Sequence, residues 1–238
     1  MGHTDSSLSG VCTFTGQDGI YDAVADDHEC STVAEVVAAC LAALADIDGA
    51  AVAMMTGPDA RQTIYASDVV IAAMEDLQFL LGQGPCWEAF TTATPVLVAD
   101  LQQHPYRLRW PAYLPEVSAL GVAAIFAVPV GVATLPLGVL DLYRTTPGPL
   151  RREQALTACR YADAAAHALF ATASLRGEMG SGDGHRDEVH QAVGFVMAQT
   201  RSDTHEALLR LRAHAYATER SLDDVCHDVV TRRLRLTR

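Results

Sequence analysis

Residues 122–143 read VAAIFAVPVGVATLPLGVLDLY, and this stretch decides the fold class. Val122 to Val130 and Leu135 to Tyr143 are two runs rich in β-branched and large apolar residues. The short Gly131 to Thr134 connection suits a hairpin, so the pair predicts the centre of an antiparallel sheet. Toward the C-terminus, Ala155, Leu156, Cys159, Ala162, Ala166, Leu169 and Phe170 recur at helical spacing. They predict a long helix from about Leu150 to Leu175 with those residues on one side. Toward the N-terminus, Val33, Val36, Val37, Cys40, Leu41 and Leu44 predict an amphipathic helix, with Thr32 and Glu35 placed as a capping box. Between these lie a strand from Ala50 to Met55, a turn at Gly57-Pro58-Asp59, a strand from Gln62 to Ala66, a helix from Asp68 to Leu81 and a strand from Pro95 to Asp100. The order is helix, two strands, helix, strand, helix, hairpin, helix. Strands gathered into hairpins with helices flanking one sheet predict an α+β layer fold and not a Rossmann-like alternation.

A chain of 238 residues is long for one small module, and two domains fit it better. Half the residues are hydrophobic but only 6% are aromatic, so the core is expected to be built from Ala, Val and Leu. No stretch approaches the ~18 consecutive apolar residues of a membrane span. Residues 1–10 lack the basic and apolar regions of a signal peptide, so a cytoplasmic protein without a membrane segment is expected. The six cysteines, Cys12, Cys30, Cys40, Cys86, Cys159 and Cys226, are far apart with no C-x-x-C pair, and read as reduced thiols. There is no Lys and no Asn, which points to a GC-rich genome such as that of an actinomycete. Residues 185–238 hold nine Arg against eight acidic residues, whereas residues 1–184 hold eight Arg against twenty-one. This change of charge balance falls on Gly177-Glu178-Met179-Gly180-Ser181-Gly182-Asp183-Gly184, a run too rich in glycine to hold a helix. The expected organisation is a loose arm over residues 1–27, an α/β domain over 28–176, a linker over 177–184 and a small helical domain over 185–238.

Motifs for catalysis are missing. The sequence has no His-Glu-x-x-His, no Gly-x-x-x-x-Gly-Lys, no Gly-x-Ser-x-Gly and no closely spaced Cys/His metal set. His205-Glu206 begins like a metalloprotease motif but has Leu209 where the second His belongs. Asp26-Asp27 and Asp223-Asp224 are adjacent, which points their side chains apart. No enzyme is expected.

After the linker, three helices carry their own start signals. The first, about His185 to Ala198, has Val189, Ala192, Val193, Val196 and Met197 as one apolar stripe. The second follows Asp203, with Glu206 three residues on, and turns Ala207, Leu208, Leu211 and Ala215 inward. The third follows Ser221, with Asp224 in the matching place, and buries Leu222, Val225, Val229 and Val230. A domain of about 50 residues buries little area, so its isolated fold is expected to be marginal and helped by dimerisation.

Four segments in order carry a resemblance: Gly82-Gln83-Gly84-Pro85-Cys86-Trp87, Pro95-Val96-Leu97-Val98-Ala99-Asp100-Leu101, Ala127-Val128-Pro129-Val130, and Leu137-Gly138-Val139-Leu140-Asp141-Leu142-Tyr143. Together they resemble the GAF domain family over roughly residues 28–175. The resemblance implies a sensor or dimerisation module with a pocket on one face of the sheet, but members bind cyclic nucleotides, haem, chromophores, amino acids or nothing. Cyclic-nucleotide binders use a signature of Asn and Lys, and this chain has neither. His104 and His167 are the nearest haem-ligand candidates, and a lone His is more often a surface or core residue than a ligand. No cofactor is therefore expected. Cys86 reads either as a redox-sensing thiol at a helix start or as a packed small hydrophobe. Trp87, Tyr106, Trp110 and Tyr113 either line a pocket for an unknown small ligand or fill the core.

Gln191-Ala192-x-Gly194-Phe195-Val196-Met197, Glu206-Ala207-Leu208-x-x-Leu211-Arg212 and Glu219-Arg220-Ser221-Leu222-Asp223-Asp224-Val225 closely resemble the ANTAR domain, a three-helix RNA-binding module of transcription antitermination. GAF followed by ANTAR is a familiar order in actinobacteria. The resemblance implies binding to paired hairpins in nascent transcripts. Arg210, Arg212, Arg220, Arg232, Arg233 and Arg235 would neutralise phosphates, and His190, Gln191 and Ala192 would form the close-approach face. One departure is Val193, where many members carry a basic residue after the Ala. Cys226 stands where Ala is common. With a tail only +1 overall, nonspecific affinity should be weak and RNA binding should lean on a homodimer or on activation. The competing reading is a ligand-binding or protein-interaction regulator whose helical tail does not bind RNA.

Overall fold

The computed structural model describes residues 32–57, 60–132, 135–176, 184–218 and 220–236. The chain divides into two compact units between Gly177 and Glu178. The expected arm over 1–27, the turn residues Pro58 and Asp59, the hairpin tip Ala133 and Thr134, and most of the linker lie outside the described residues. Gly184, the last residue of the expected linker, opens a helix.

The first unit runs α1 (Val33–Ala43), β1 (Gly49–Gly57), β2 (Ala60–Ala66), α2 (Val69–Leu81), α3 (Pro85–Thr92), β3 (Val96–Val98), α4 (His104–Arg109), α5 (Tyr113–Ala119), β4 (Ala124–Val132), β5 (Leu135–Arg144) and α6 (Arg152–Arg176). Five strands form one sheet in the order β2-β1-β5-β4-β3, with every described pairing antiparallel. The β4–β5 hairpin is central, as residues 122–143 predict. Thr32 caps α1 by the expected reciprocal box with Glu35. Asp68 caps α2 by accepting from the Val70 and Ile71 amides at 2.8 and 3.0 Å. Between β3 and the hairpin the chain makes two short helices where the sequence pattern predicts one. Helices of six or seven residues are too short to display a period.

Strand alternation divides the core into two layers. Phe126, Val128, Leu140 and Leu142 face α1 and α6, packing with Val36, Val37, Cys40, Ala158, Ala162 and Leu169. Burial of each Leu or Phe side chain contributes roughly 1.5–3 kcal/mol. The buried stripe of α6 is mostly alanine, and Phe170, expected inside, is 56% exposed. Buried positions 155, 158, 162, 165, 166 and 169 recur every three or four residues, which leaves 170 at the margin of the stripe. Ile125, Ala127, Val139, Asp141 and Tyr143 face the other way, toward α2, α3 and α5.

The second unit holds α7 (Gly184–Thr200), α8 (Thr204–Ala217) and α9 (Leu222–Val230). Val189, Ala192, Val193, Val196, Ala207, Leu208, Leu211, Ala215, Leu222, Val225, Cys226 and Val229 are buried. Asp203 accepts from the Glu206 amide at 2.8 Å and Ser221 from the Asp224 amide at 3.0 Å, so both expected caps are present. Met197 and Val230 are only half-buried.

Cys40, Cys86 and Cys226 are free and buried, but Cys159 is disulfide-bonded. This corrects the reading of six reduced thiols: separation along the chain does not report separation in space.

Gly138 tests the packing of the sheet centre. A Cβ there would collide with the Ala53 carbonyl oxygen, a backbone atom of the paired strand. Gly138→Ala is therefore expected to destabilise the protein by about 3 kcal/mol or more, read as a lower urea midpoint. An unchanged midpoint would contradict this register.

Candidate functional site

The face of the sheet under α2, α3 and α5 carries a buried charged cluster. Asp141 lies mid-strand between Leu140 and Leu142 and is 0% exposed. Its cross-strand neighbours are Ala51 on β1 and Ala127 on β4, which are too small to cover it. The space above is filled by Arg61 of β2, Glu75 of α2, Cys86 of α3 and Tyr113 of α5. Arg61 pairs with the Glu75 carboxylate and donates through Nη1 to the Glu75 carbonyl at 3.2 Å. Its Nη2 stands 3.7 Å from Asp141 Oδ2, beyond hydrogen-bond reach. Among the described residues no ordinary hydrogen-bond partner meets either Asp141 oxygen, Arg61 Nε or Tyr113 Oη, though the Cys86 thiol and the Glu75 carboxyl lie close enough to Asp141 to shift its titration by hydrogen bonding.

The Gly82–Trp87 motif builds the wall of this cluster. Gly82 ends α2 in the left-handed conformation, at φ 60°. Gly84 has φ 132°, and a Cβ there would collide with the Gln78 side chain at Oε1. That oxygen accepts from the Cys86 amide at 2.9 Å, and Gln78 Nε2 donates to Glu75 Oε1 at 3.3 Å. Gln83 Oε1 accepts from the amides of Ala112 and Tyr113 at 3.0 and 3.4 Å. One loop thus fixes α2, α3 and α5 around two carboxyl groups and a guanidinium.

Burial first, then the Glu75 charge, hold the Asp141 carboxyl well above the usual carboxylate range, with Arg61 opposing. Burial likewise raises the Cys86 thiol and the Tyr113 hydroxyl. A thiol held protonated is a poor redox nucleophile. Cys86 is fully buried with its sulfur 3.7 Å from Met55 Sδ, so the geometry supports the packed reading.

The other sequence candidates divide, with Trp87 and Tyr113 near Cys86 and Tyr106 and Trp110 apart from it. Trp87 packs on Phe90, with centroids 5.9 Å apart, beside Cys86. Tyr106 and Trp110 stack at 5.6 Å in the separate cluster under α2 and α5, where Trp110 meets Tyr113 edge-on. The residues that sequence reasoning missed are Arg61, Glu75 and Asp141. The available signal was an aspartate inside an apolar central strand, which must be compensated wherever it is buried. The exposed His167 has no nearby ligand set, and among the described residues no group of three His, Cys, Asp or Glu is placed to hold a metal. The His104 side chain lies outside the described residues.

In the second unit the candidate RNA-facing residues divide by exposure. Gln191, Arg220, Arg232, Arg233 and Arg235 are exposed and Arg210 is half-buried. Ala192 is 0% and Arg212 7% exposed, so both side chains turn into the bundle. A helical stripe that supplies the core at 189, 192, 193 and 196 cannot present the same Ala outward. Val193 belongs to this stripe as well, at 7% exposed. The His190 side chain lies outside the described residues. Arg210 pairs with Glu206 and Arg220 with Asp228, at 2.8 and 2.7 Å. Arg233 stands 4.0 Å from Asp228. Arg232 lies over the Phe195 ring at 5.9 Å, and the Leu236 amide donates to Gln199 Oε1 at 3.1 Å. The segment from Arg232 to Leu236 therefore meets α7 at Phe195 and Gln199, and Gln191, Gly194, Ala198 and Gln199 of that helix are exposed. Nothing lies within 4 Å of where a Gly194 Cβ would stand, so the backbone there is open to close approach.

A family model described as GAF domain matches residues 30–169, and one described as ANTAR domain matches residues 184–230. No curated protein matches the chain. The GAF domain of a phosphoenolpyruvate-protein phosphotransferase from Coxiella burnetii is 18% identical, with a TM-score of 0.46 over 60% of this chain and 82% of that one. The third GAF domain of a Synechocystis protein, solved in its photoproduct state, is 16% identical, with a TM-score of 0.45 over 63% and 97%.

Asp141 gives a test of the cluster's protonation. A carboxyl that holds its proton more tightly folded than unfolded weakens the fold as the pH rises above the ordinary aspartate value of about 3.9, by up to about 1.4 kcal/mol per pH unit until it ionises. Asp141→Asn keeps the shape without the titration. Urea denaturation across pH is expected to show a flatter profile for the variant than for the native chain, and parallel profiles would contradict the assignment.

Proposed function

We propose that this chain, which belongs to the GAF domain family and carries an ANTAR domain behind it, is a signal-responsive RNA-binding regulator that promotes transcription antitermination in the cytoplasm. The observation that carries the reading is the coincidence of the ANTAR match with a separately folded three-helix unit. The GAF unit serves as sensor or dimerisation module. The helical unit binds paired hairpins of a nascent transcript, as a homodimer whose two copies raise the effective concentration of a modest site.

The exposed cations support this assignment. Arg232 and Arg235 are exposed with no acidic partner among the described residues, and they flank a segment that meets α7 at Phe195 and Gln199. Guanidinium groups beside small exposed residues suit phosphate binding with close backbone approach. Arg210, Arg220 and Arg233 bear on acidic neighbours and would have to exchange them for phosphate. Ala192 and Arg212 act within the bundle and support the surface from inside.

Filter binding of the full chain to a two-hairpin RNA across a salt series tests the reading. Native protein is expected to bind at low salt. Replacing Arg232 and Arg235 by Ala should weaken binding and lower the slope of log K against log salt by about 0.7 to 0.9 for each phosphate no longer neutralised. Arg212→Ala should instead lower stability. Absence of RNA binding at low salt would favour a regulator whose helical tail has another partner.

A further inference from the structure

Among the described cysteines, Cys159 stands apart. Cys40, Cys86 and Cys226 are free and 0% exposed. Burial pushes the Cys40 and Cys226 thiols up to about 12 and the Cys86 thiol well above its usual range, so all three stay protonated and are poor nucleophiles. Cys159 packs against the layer formed by α1, α6 and the sheet but is only half-buried, and it is disulfide-bonded. The sequence has six cysteines, and with Cys40, Cys86 and Cys226 free its partner is Cys12 or Cys30, both of which precede α1. The bond therefore ties the segment ahead of the first helix to the last helix of the GAF unit.

Cytoplasmic thiols are kept reduced, and the disulfides that form there are mostly transient ones that act in catalysis or in redox sensing. We propose that Cys159 and a cysteine ahead of α1 form a reversible thiol–disulfide switch, which reports the thiol–disulfide balance of the cell on α6. The inference rests on the cytoplasmic sensor half of the functional reading, but its test uses no RNA, so failure of one leaves the other standing.

Closure is an exchange in two steps with a low-molecular-weight disulfide. The thiolate of one cysteine attacks a sulfur of that disulfide, whose S–S bond breaks, and one small thiol leaves after taking up a proton. The second cysteine gives up its proton and attacks the protein sulfur of the mixed bond, so that the second small thiol leaves. Two electrons pass from the two protein sulfurs to the small disulfide, and an excess of the small thiol runs both steps backward. The bond has leverage because of where it falls. The buried stripe of α6 is mostly alanine from Ala155 to Ala168, and each alanine buries little apolar area, so a covalent tie adds much to the hold on this helix. With either partner the closed loop is long, which removes the most entropy from the unfolded chain. From α6 the chain passes to the ANTAR unit, which makes this helix a usable place to write a signal.

The full chain is equilibrated in glutathione buffers, quenched in acid, unfolded and alkylated. In excess oxidised glutathione four cysteines should be alkylated, with the Cys159 peptide joined to that of Cys12 or Cys30, and in about 10 mM reduced glutathione all six should be. Reduction of the native chain should lower its Tm by several degrees and speed amide exchange along α6 several-fold, and Cys159→Ser should give the same values in both buffers. A bond that survives excess reduced glutathione would be a permanent staple. Six alkylated cysteines in oxidised glutathione, or Cys159 joined to glutathione alone, would mean that no internal bond forms. Either result, or a native Tm and α6 exchange that ignore the buffer, would overturn the proposal.

Discussion

A carboxyl group in the middle of a strand covered on both faces is the constraint around which the first unit is arranged. Asp141 is bordered by alanines within its sheet, and everything polar that surrounds it arrives from helices or from the edge strand. Those helices are in turn held by the side chains of Gln78 and Gln83 and by two glycines in unusual conformations. Removing one partner from such a cluster leaves an uncompensated buried charge, which costs several kcal/mol. The Gly82–Trp87 segment is therefore tied to Asp141 although 54 residues separate Trp87 from it.

The two faces of the sheet have different tasks. The face against α1 and α6 is a uniform apolar layer in which alanines bring a long helix close. The opposite face interrupts its apolar layer with a cluster of buried charged and polar groups. Apolar packing is indifferent to most small molecules, whereas buried donors and acceptors discriminate strongly between ligands.

Much of the frame was legible in the sequence. The hairpin from 122 to 143, the caps at Thr32, Asp203 and Ser221, and the inward stripes of the terminal helices follow from local chemistry and periodicity. The cluster was less legible because its members lie on β2, α2, α3, α5 and β5, and only the fold brings them together. The bundle shows the opposite limit. Ala192 was legible both as part of an apolar stripe and as a small residue open to RNA, and burial assigns it to the stripe. The open stretch is instead displaced by two residues, to Gly194, where nothing stands within 4 Å of a Cβ position.

Crosslinking of the full chain to RNA in living cells, followed by sequencing of the bound fragments, tests the central claim most directly. The account predicts enrichment of paired hairpins just upstream of terminators, reduced when Arg232 and Arg235 are both replaced by Ala. Fragments no more structured than total cellular RNA, recovered equally by native and altered chains, would contradict it.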